Sequence, residues 1–386
     1  MLQSFLVYTL TAALLFFLGH NIAIRERCSL NKSHKHLSFG SLEIVLSILL
    51  FSFVSGARYK VGQDYLSYFN FYKEFKILGH FTRDNFEPGF TFITKIFATL
   101  DLHYFFYFAF WGALQISILY YAFRKEKYLL PYIGLFVMLG TYYSNWMNGI
   151  RQCVVTCFFV FFVKFICRKE LLKYISCILL LSTIHKSALI LLPCFIFSRW
   201  NFYVKNRFIW IALAICCVIL GNTPSWIGLI SNIETLFSFV GYDNYANNLD
   251  YWITHDINDM AWGPGRITTF LESLLVIFYY PKIRTFYKNK ILDIYFILFF
   301  IGLCSFNLFS NTSHIFLRPT EYFTIFLLPL SVYLVYFFKQ NKRRFMFVLF
   351  LILSCSHMFI NLLKSYMYYD AEKDVFLYKF IWDYIS

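Results

Sequence analysis

One stretch, Arg58–Tyr68, reads Arg-Tyr-Lys-Val-Gly-Gln-Asp-Tyr-Leu-Ser-Tyr. Arg58 can hold an anion, Asp64 can take a proton, and Tyr65 and Tyr68 can stack on sugar rings. The plainer reading is an interfacial loop with an aromatic belt and a snorkelling arginine. Further groups of the same kind recur along the chain: Asn148-Gly149-Ile150-Arg151-Gln152, His185-Lys186-Ser187, Gly263-Pro264-Gly265-Arg266, and His314 with Arg318-Pro319-Thr320-Glu321-Tyr322. Arginine forks suit phosphate oxygens better than lysine does, and histidine has the near-neutral pKa a general base wants. The chemistry these types suggest is proton transfer beside a phosphorylated sugar.

The elements that must carry these groups are membrane helices. The chain has 386 residues, is 59% hydrophobic and 15% charged, and has a mean hydropathy of +0.57. A soluble protein of this size could not hide so much apolar surface. Apolar runs fall near 2–19, 39–55, 103–122, 128–146, 150–167, 171–184, 187–198, 208–222, 267–280, 291–309, 318–337 and 345–362. The fold class expected is all-α: a polytopic integral membrane protein of about twelve transmembrane helices, some short or broken. It forms a single transmembrane domain over 1–386 with two larger loops on one side, 56–102 and 223–266. The first run lacks a basic leader and a cleavage site and reads as a span, not a signal peptide.

Basic clusters set the sidedness. Arg25 and Arg27, Arg124 and Lys125, Arg168 and Lys169, Arg199 and Lys205, Lys282 and Arg284, and Lys342 to Arg344 fall at every second loop. That is the positive-inside pattern. It places both termini and both large loops outside, and it makes the net charge of +14 a topology signal and a contact with anionic lipid heads, with no nucleic-acid groove implied. The short runs 171–184 and 187–198 flank His185-Lys186 and read as a broken pair. The segment 88–100 carries Lys95 and reads as an outside or re-entrant helix.

With this topology the polar groups collect at one membrane level. Ionisable residues there are costly and usually face a cavity or pair with one another. Arg151, Arg266 and Arg318 each stand near an expected helix N-terminus, where dipole and N–H groups also favour an anion. With Arg58 they point to a lipid-linked diphosphate. Singly, each arginine is as consistent with snorkelling, His185 with a core histidine, and Glu321 with an ion pair to Arg318. The loop 223–266 joins acids to aromatics, including Trp252 and Trp262, as carbohydrate binding would require; a solvated lid without a ligand is the alternative. The ten cysteines lie almost all in apolar runs and none has CxxC spacing. There is no Asp-x-Asp, no Gly-rich phosphate loop with a lysine and no serine nucleophile elbow, so no metal, nucleotide or other cofactor is expected.

The motif Arg58-Tyr59-x-Val61-Gly62-x-Asp64-Tyr65-x-x-Tyr68 resembles the signature after the second span of the EpsG-type polysaccharide polymerases, relatives of the Wzy O-antigen polymerases. Glu87-Pro88-Gly89-Phe90, Asn148–Gln152, His185-Lys186-Ser187-Ala188-Leu189 and Arg318 with Tyr322 follow in that family's order. The resemblance covers roughly 1–340; the loop 223–266 shows no matching motif.

The resemblance implies glycosyl transfer at the periplasmic face of the bacterial inner membrane. Undecaprenyl-diphosphate-linked oligosaccharide serves as donor and acceptor, membrane lipid surrounds the protein, and a chain-length regulator and a flippase act in the same pathway. The expected roles are Arg58, Arg151, Arg266 and Arg318 for the diphosphate, and Asp64 or His185, then Glu87, for the base. Tyr65, Tyr68, Trp252 and Trp262 are the candidates for sugar stacking, with Gln152, Lys186, His314 and Tyr322 in support. Two rivals stand beside this reading. An O-antigen ligase has similar chemistry, but the early Gly-x-Asp-Tyr signature argues against it. A flippase should carry charge through the membrane depth and show paired halves, and neither is detected.

Overall fold

The computed structural model describes residues 1–33, 36–62, 64–81, 86–140, 142–199, 203–223, 225–226, 262–312, 314–367 and 377–384. Among these residues the chain is helical throughout, with no strand and one isolated antiparallel bridge, between Arg58 and Phe380. Most of the loop 223–266, Trp252 included, lies outside the described residues.

In chain order the helices are α1 (Leu2–Ser33), α2 (Leu42–Gly56), α3 (Tyr65–Leu78), α4 (Pro88–Thr99), α5 (Tyr104–Ala122), α6 (Leu130–Leu139), α7 (Tyr142–Asn148), α8 (Ile150–Cys167) and α9 (Leu171–Ser182). A 3-10 helix over Lys186–Ser198 follows, then α10 (Arg207–Gly221), α11 (Pro264–Tyr287) and α12 (Lys290–Phe309). Short turns from His314 to Thr324 lead into α13 (Leu327–Gln340) and α14 (Arg344–Met367).

Among the described residues six helical stretches are long and apolar enough to cross a bilayer: Leu2–Leu30, Tyr104–Ala122, Ile150–Cys167, Lys290–Phe309, Arg318–Gln340 and Arg344–Met367. The protein is therefore a multi-pass membrane protein. Shorter apolar helices lie at Leu42–Gly56, Lys127–Leu139, Leu171–Ser182, Lys186–Ser198 and Arg207–Gly221. A 15-residue α-helix such as α2 is about 22 Å long at ~1.5 Å per residue, short of a hydrocarbon core of about 30 Å. The count of about twelve thus rests on these shorter helices and on α11. The expected run 128–146 is divided: α6 ends at Leu139, where Gly140 N–H still donates to the Phe136 carbonyl (2.8 Å), and α7 restarts at Tyr142. The runs on either side of His185 are also separate, an α-helix before it and a 3-10 helix containing Pro193 after it.

The chain forms two compact units: residues 1–199 with 331–386, and residues 200–330. In the first, α1 packs on α6 and α2, α5 packs on α2 and α8, and α14 packs on α6. A clasp ties the α1–α2 connection to the start of α6: Glu26 accepts from Lys127 Nζ (3.3 Å) and from the Leu37 N–H (2.7 Å). Lys127 is 1% exposed and held by that carboxylate. In the second unit α10 and α12 pack together with α11 on α10, and Asp293 closes the α11–α12 turn by taking Arg284 Nε (2.7 Å), Arg284 Nη2 (3.0 Å) and Tyr280 Oη (2.8 Å).

An aromatic block in the first unit holds the polar motifs. Tyr65, Tyr68, Phe71, Tyr72 and Phe75 on α3, Phe90 on α4, and Tyr107, Phe108 and Trp111 on α5 form one buried cluster. The abundance of phenylalanine and tyrosine is here an interior, as well as a lipid-facing surface.

Candidate active site

Glu87 is the residue at which three motifs meet. Pro88 follows it as the first residue of α4, and a residue before proline is steered into extended backbone; Glu87 sits at φ −66°, ψ 148°. Its carboxylate does not cap its own helix but reaches the α9–3-10 junction and the start of α8. Oε1 accepts from His185 Nδ1 (3.0 Å) and from the Lys186 backbone N–H (2.9 Å). Oε2 pairs with Arg151 Nη1.

The backbone around these side chains is joined as tightly. The Thr183 carbonyl accepts from Gly89 N–H (2.7 Å) and Phe90 N–H (3.3 Å), so the first turn of α4 is tied to the end of α9. A Cβ on Gly89 would lie 2.8 Å from that carbonyl oxygen, which is why the approach needs glycine there. Arg151 is the second residue of α8, and its guanidinium lies over the rings of Phe86 (4.6 Å) and Phe90 (5.4 Å), with Tyr68 at 6.0 Å. Its Nε is buried and has no hydrogen-bond partner among the described residues. The side chains of Glu87, Arg151 and His185 are 15%, 18% and 20% exposed, a partly dry setting in which charge acts strongly.

Burial pushes the Glu87 carboxyl up, but the His185 hydrogen bond, the Arg151 charge and the Lys186 N–H outweigh it and hold it at about 2. A carboxylate this acidic is a weak base, and both its oxygens are engaged. An ionised carboxylate can only accept, so beside Glu87 a neutral His185 carries its proton on Nδ1 and its lone pair on Nε2. The depressed value is also a linkage statement. The stability it contributes is fully present above the ordinary carboxyl value of 4.5 and is lost as pH falls from there towards about 2. Acid unfolding of Glu87→Gln should lack this component, so its stability should fall less than wild type's between those pH values in a thermal-melt series.

Arg58 was expected to meet an anion, and the structure places it elsewhere. It is 1% exposed, with Nε donating to the Ser55 carbonyl (3.1 Å) and Nη1 to those of Val61 (2.6 Å) and Met147 (2.7 Å). Its guanidinium also lies over Phe108 (4.9 Å) and Tyr65 (5.3 Å). Arg58 therefore fastens the loop after α2 to the end of α7. Gly62, at φ +99°, makes the turn that brings this loop against Met147. Asn148 completes the join by accepting the Asp64 N–H at its Oδ1 (3.0 Å). Arg58→Met should leave three carbonyls without their donor, at about 1–3 kcal/mol for each that stays dry. The expected outcome is a lower melting temperature in detergent, with Arg58→Lys only partly restoring it.

Tyr65 and Tyr68 do not present faces to a sugar. Tyr65 is fully buried and stacked on Phe108 (4.7 Å), and Tyr68 is packed against Phe90 (5.7 Å). Rings this closely covered are core. Asp64 is partly exposed at the start of α3, Gln152 is buried within α8, and Lys186 is exposed and contributes its backbone N–H. In the second unit, Arg266 Nη2 donates to Ser310 Oγ (2.7 Å) and Asn307 Oδ1 (3.4 Å), and its guanidinium lies over the exposed Trp262 ring (4.4 Å). Arg318 is exposed at the head of a 3-10 turn, Tyr322 is fully buried, and His314 opens the preceding turn. The sequence reading missed Phe86 and Thr183. Phe86 flanks the Glu87-Pro88-Gly89 motif and could have been noticed; the Thr183 contribution is a backbone carbonyl and carries no side-chain signal.

Fold and site together define a multi-pass helical membrane protein with a carboxylate–histidine–arginine constellation suited to proton transfer beside an anion. The chain belongs to the EpsG family, whose profile matches residues 42–380. Family membership suggests a polysaccharide-polymerase type of membrane enzyme. No curated protein and no solved structure matches the chain.

Proposed function

We propose that this protein joins undecaprenyl-diphosphate-linked oligosaccharide repeat units into O-antigen or a related surface polysaccharide, at the periplasmic face of the bacterial inner membrane. The observation that carries this reading is the meeting of Glu87, Arg151 and His185, three residues far apart in the chain and each in a motif of the family's order.

An acceptor hydroxyl on the incoming repeat unit attacks the anomeric carbon of the growing glycan. The new C–O bond forms as the bond to the diphosphate oxygen breaks, and the configuration inverts. The hydroxyl proton passes to His185 Nε2, and the diphosphate leaves with the bonding electron pair. Glu87 holds the imidazole in the tautomer that can accept this proton and stabilises the imidazolium that results. Arg151, at the N-terminus of α8, faces the charge that develops on the diphosphate, and its buried Nε is the donor for a phosphate oxygen. Arg266 and Arg318 remain assigned to the lipid-linked diphosphates, and Trp262 to a sugar face. Arg58 is assigned to positioning, and His185 is placed ahead of Asp64 as the base because Glu87 orients it.

The test is a gel of surface lipopolysaccharide from a strain lacking the gene. Core carrying a single repeat unit is the expected result: polymerisation is lost while export and ligation persist. Bare core would point instead to ligation or flipping. An unchanged ladder would rule out O-antigen, and capsule or exopolysaccharide length would then decide.

A further inference from the structure

The signature loop Ala57–Tyr59 does not hold itself. Helix α2 ends at Gly56, and beyond a helix end backbone groups need new partners. Here they find them in the far C-terminus. Tyr59 N–H donates to the Lys379 carbonyl (2.8 Å), and Ile381 N–H donates to the Ala57 carbonyl (2.9 Å), which closes the Arg58–Phe380 bridge. Tyr378, 2% exposed, anchors the segment from both sides: its Oη donates to the Val54 carbonyl (2.6 Å) and its N–H to Ser4 Oγ (2.8 Å). Phe380 and Trp382 stack at 4.3 Å, and Trp382 reaches the ring of Phe53 at 6.4 Å. Under this cover Ala57 is fully buried and Arg58 is 1% exposed.

We propose that Tyr378–Trp382 is a brace that positions the candidate site, acting through Arg58. By pairing with both sides of Arg58 it keeps that guanidinium dry and aimed at the Val61 and Met147 carbonyls. Those two bonds hold the Asp64 loop against the turn that begins α8, where Asn148 meets the Asp64 N–H and Arg151 meets Glu87. Without the brace, water reaches Arg58, and a hydrated guanidinium has little reason to keep two carbonyls from separate segments together. The brace touches no substrate; its residues are positioning residues. The functional half of this inference rests on the polymerase reading, and the structural half does not.

The test substitutes one backbone donor. Ile381 opens the 3-10 turn Ile381–Tyr384, where proline fits the backbone and where the preceding residue is already extended in the bridge. Ile381→Pro therefore removes the N–H to Ala57 with little other change, and Ile381→Ala retains it as the control. The full-length chain in nanodiscs is followed by hydrogen exchange across residues 57–68 and by polymerisation of a lipid-linked repeat unit. Ile381→Pro is expected to speed exchange there and to lower turnover roughly tenfold to hundredfold with KM unchanged, as small misplacement of catalytic groups does. Ile381→Ala should match wild type in both. Unchanged exchange, or faster exchange with wild-type turnover, overturns the proposal. If Ile381→Pro does not accumulate, Tyr378→Phe, which loses only the Val54 bond, should show the same changes in smaller measure; wild-type behaviour there overturns the proposal equally. A wild-type chain that made no polymer would sink the polymerase reading, and the exchange comparison would then judge the brace by itself.

Discussion

Arg151→Ala is expected to abolish polymer while the protein stays in the membrane at its normal level. Two losses combine. In the proposed reaction the developing charge on the diphosphate loses a guanidinium; one such donor to a transition-state anion is typically worth about a hundredfold to a thousandfold in rate. Glu87 also loses the partner of its Oε2, so the carboxylate that orients His185 is held by His185 and the Lys186 N–H alone. Arg151→Lys should rescue poorly. An ammonium is a point charge that cannot bond Glu87 from one edge, offer Nε at another and lie flat over Phe86 and Phe90. The readout is surface-polysaccharide chain length by gel, with protein level in membranes checked by immunoblot. Normal chain length in Arg151→Ala would remove Arg151 from the site.

The second large effect falls on the His185–Glu87 pair. His185→Ala should slow transfer by about a hundredfold to ten-thousandfold, the usual worth of a positioned general base. His185→Gln, which can still donate to Glu87, should be no better, because geometry without a basic nitrogen does not accept the proton. Glu87→Gln is the more informative change. The amide lacks the negative charge, and if its NH2 turns to Nδ1 the imidazole is driven to the tautomer with its proton on Nε2. Turnover should drop, and in what remains the acid limb of the pH–rate profile should move to lower pH, because removing a carboxylate disfavours the imidazolium. The check is rate against pH for purified protein with a lipid-linked repeat unit. A His185→Ala enzyme of wild-type rate would return the base to Asp64. A Glu87→Gln profile without displacement would show that the carboxylate does not act through His185.

The motifs were legible because their chemistry is local. Glu87-Pro88-Gly89, Ile150-Arg151-Gln152 and His185-Lys186 each announce themselves by an ionisable group beside a helix boundary, and all three boundaries lie where expected, at the starts of α4 and α8 and before the 3-10 helix. What was not legible is which arginine is presented to a ligand. Arg58 and Arg151 look alike as arginines at the ends of apolar runs. The difference lies in carbonyls from Ser55, Val61 and Met147 that surround one, and in a carboxylate and two rings that flank the other. The roles of Tyr65 and Tyr68 were misread for the same reason: an aromatic ring is a platform or a core residue according to what covers it.

By itself the sequence determined that the chain is a helical membrane protein, where most of its apolar helices lie, and which family it belongs to; it did not show α3, the break between α6 and α7, or the full lengths of α1 and α11. Those properties follow from composition, from charge beside apolar runs and from short local motifs, and neighbours in the chain suffice to establish them. Only the tertiary structure shows that Glu87 meets His185 and Arg151, that Arg58 is enclosed by backbone carbonyls, and that residues near 380 pair with a loop near 58. Each depends on the distance between groups far apart in the chain. Hydrogen bonding, burial and charge act through that distance, and no pattern along the sequence encodes it directly.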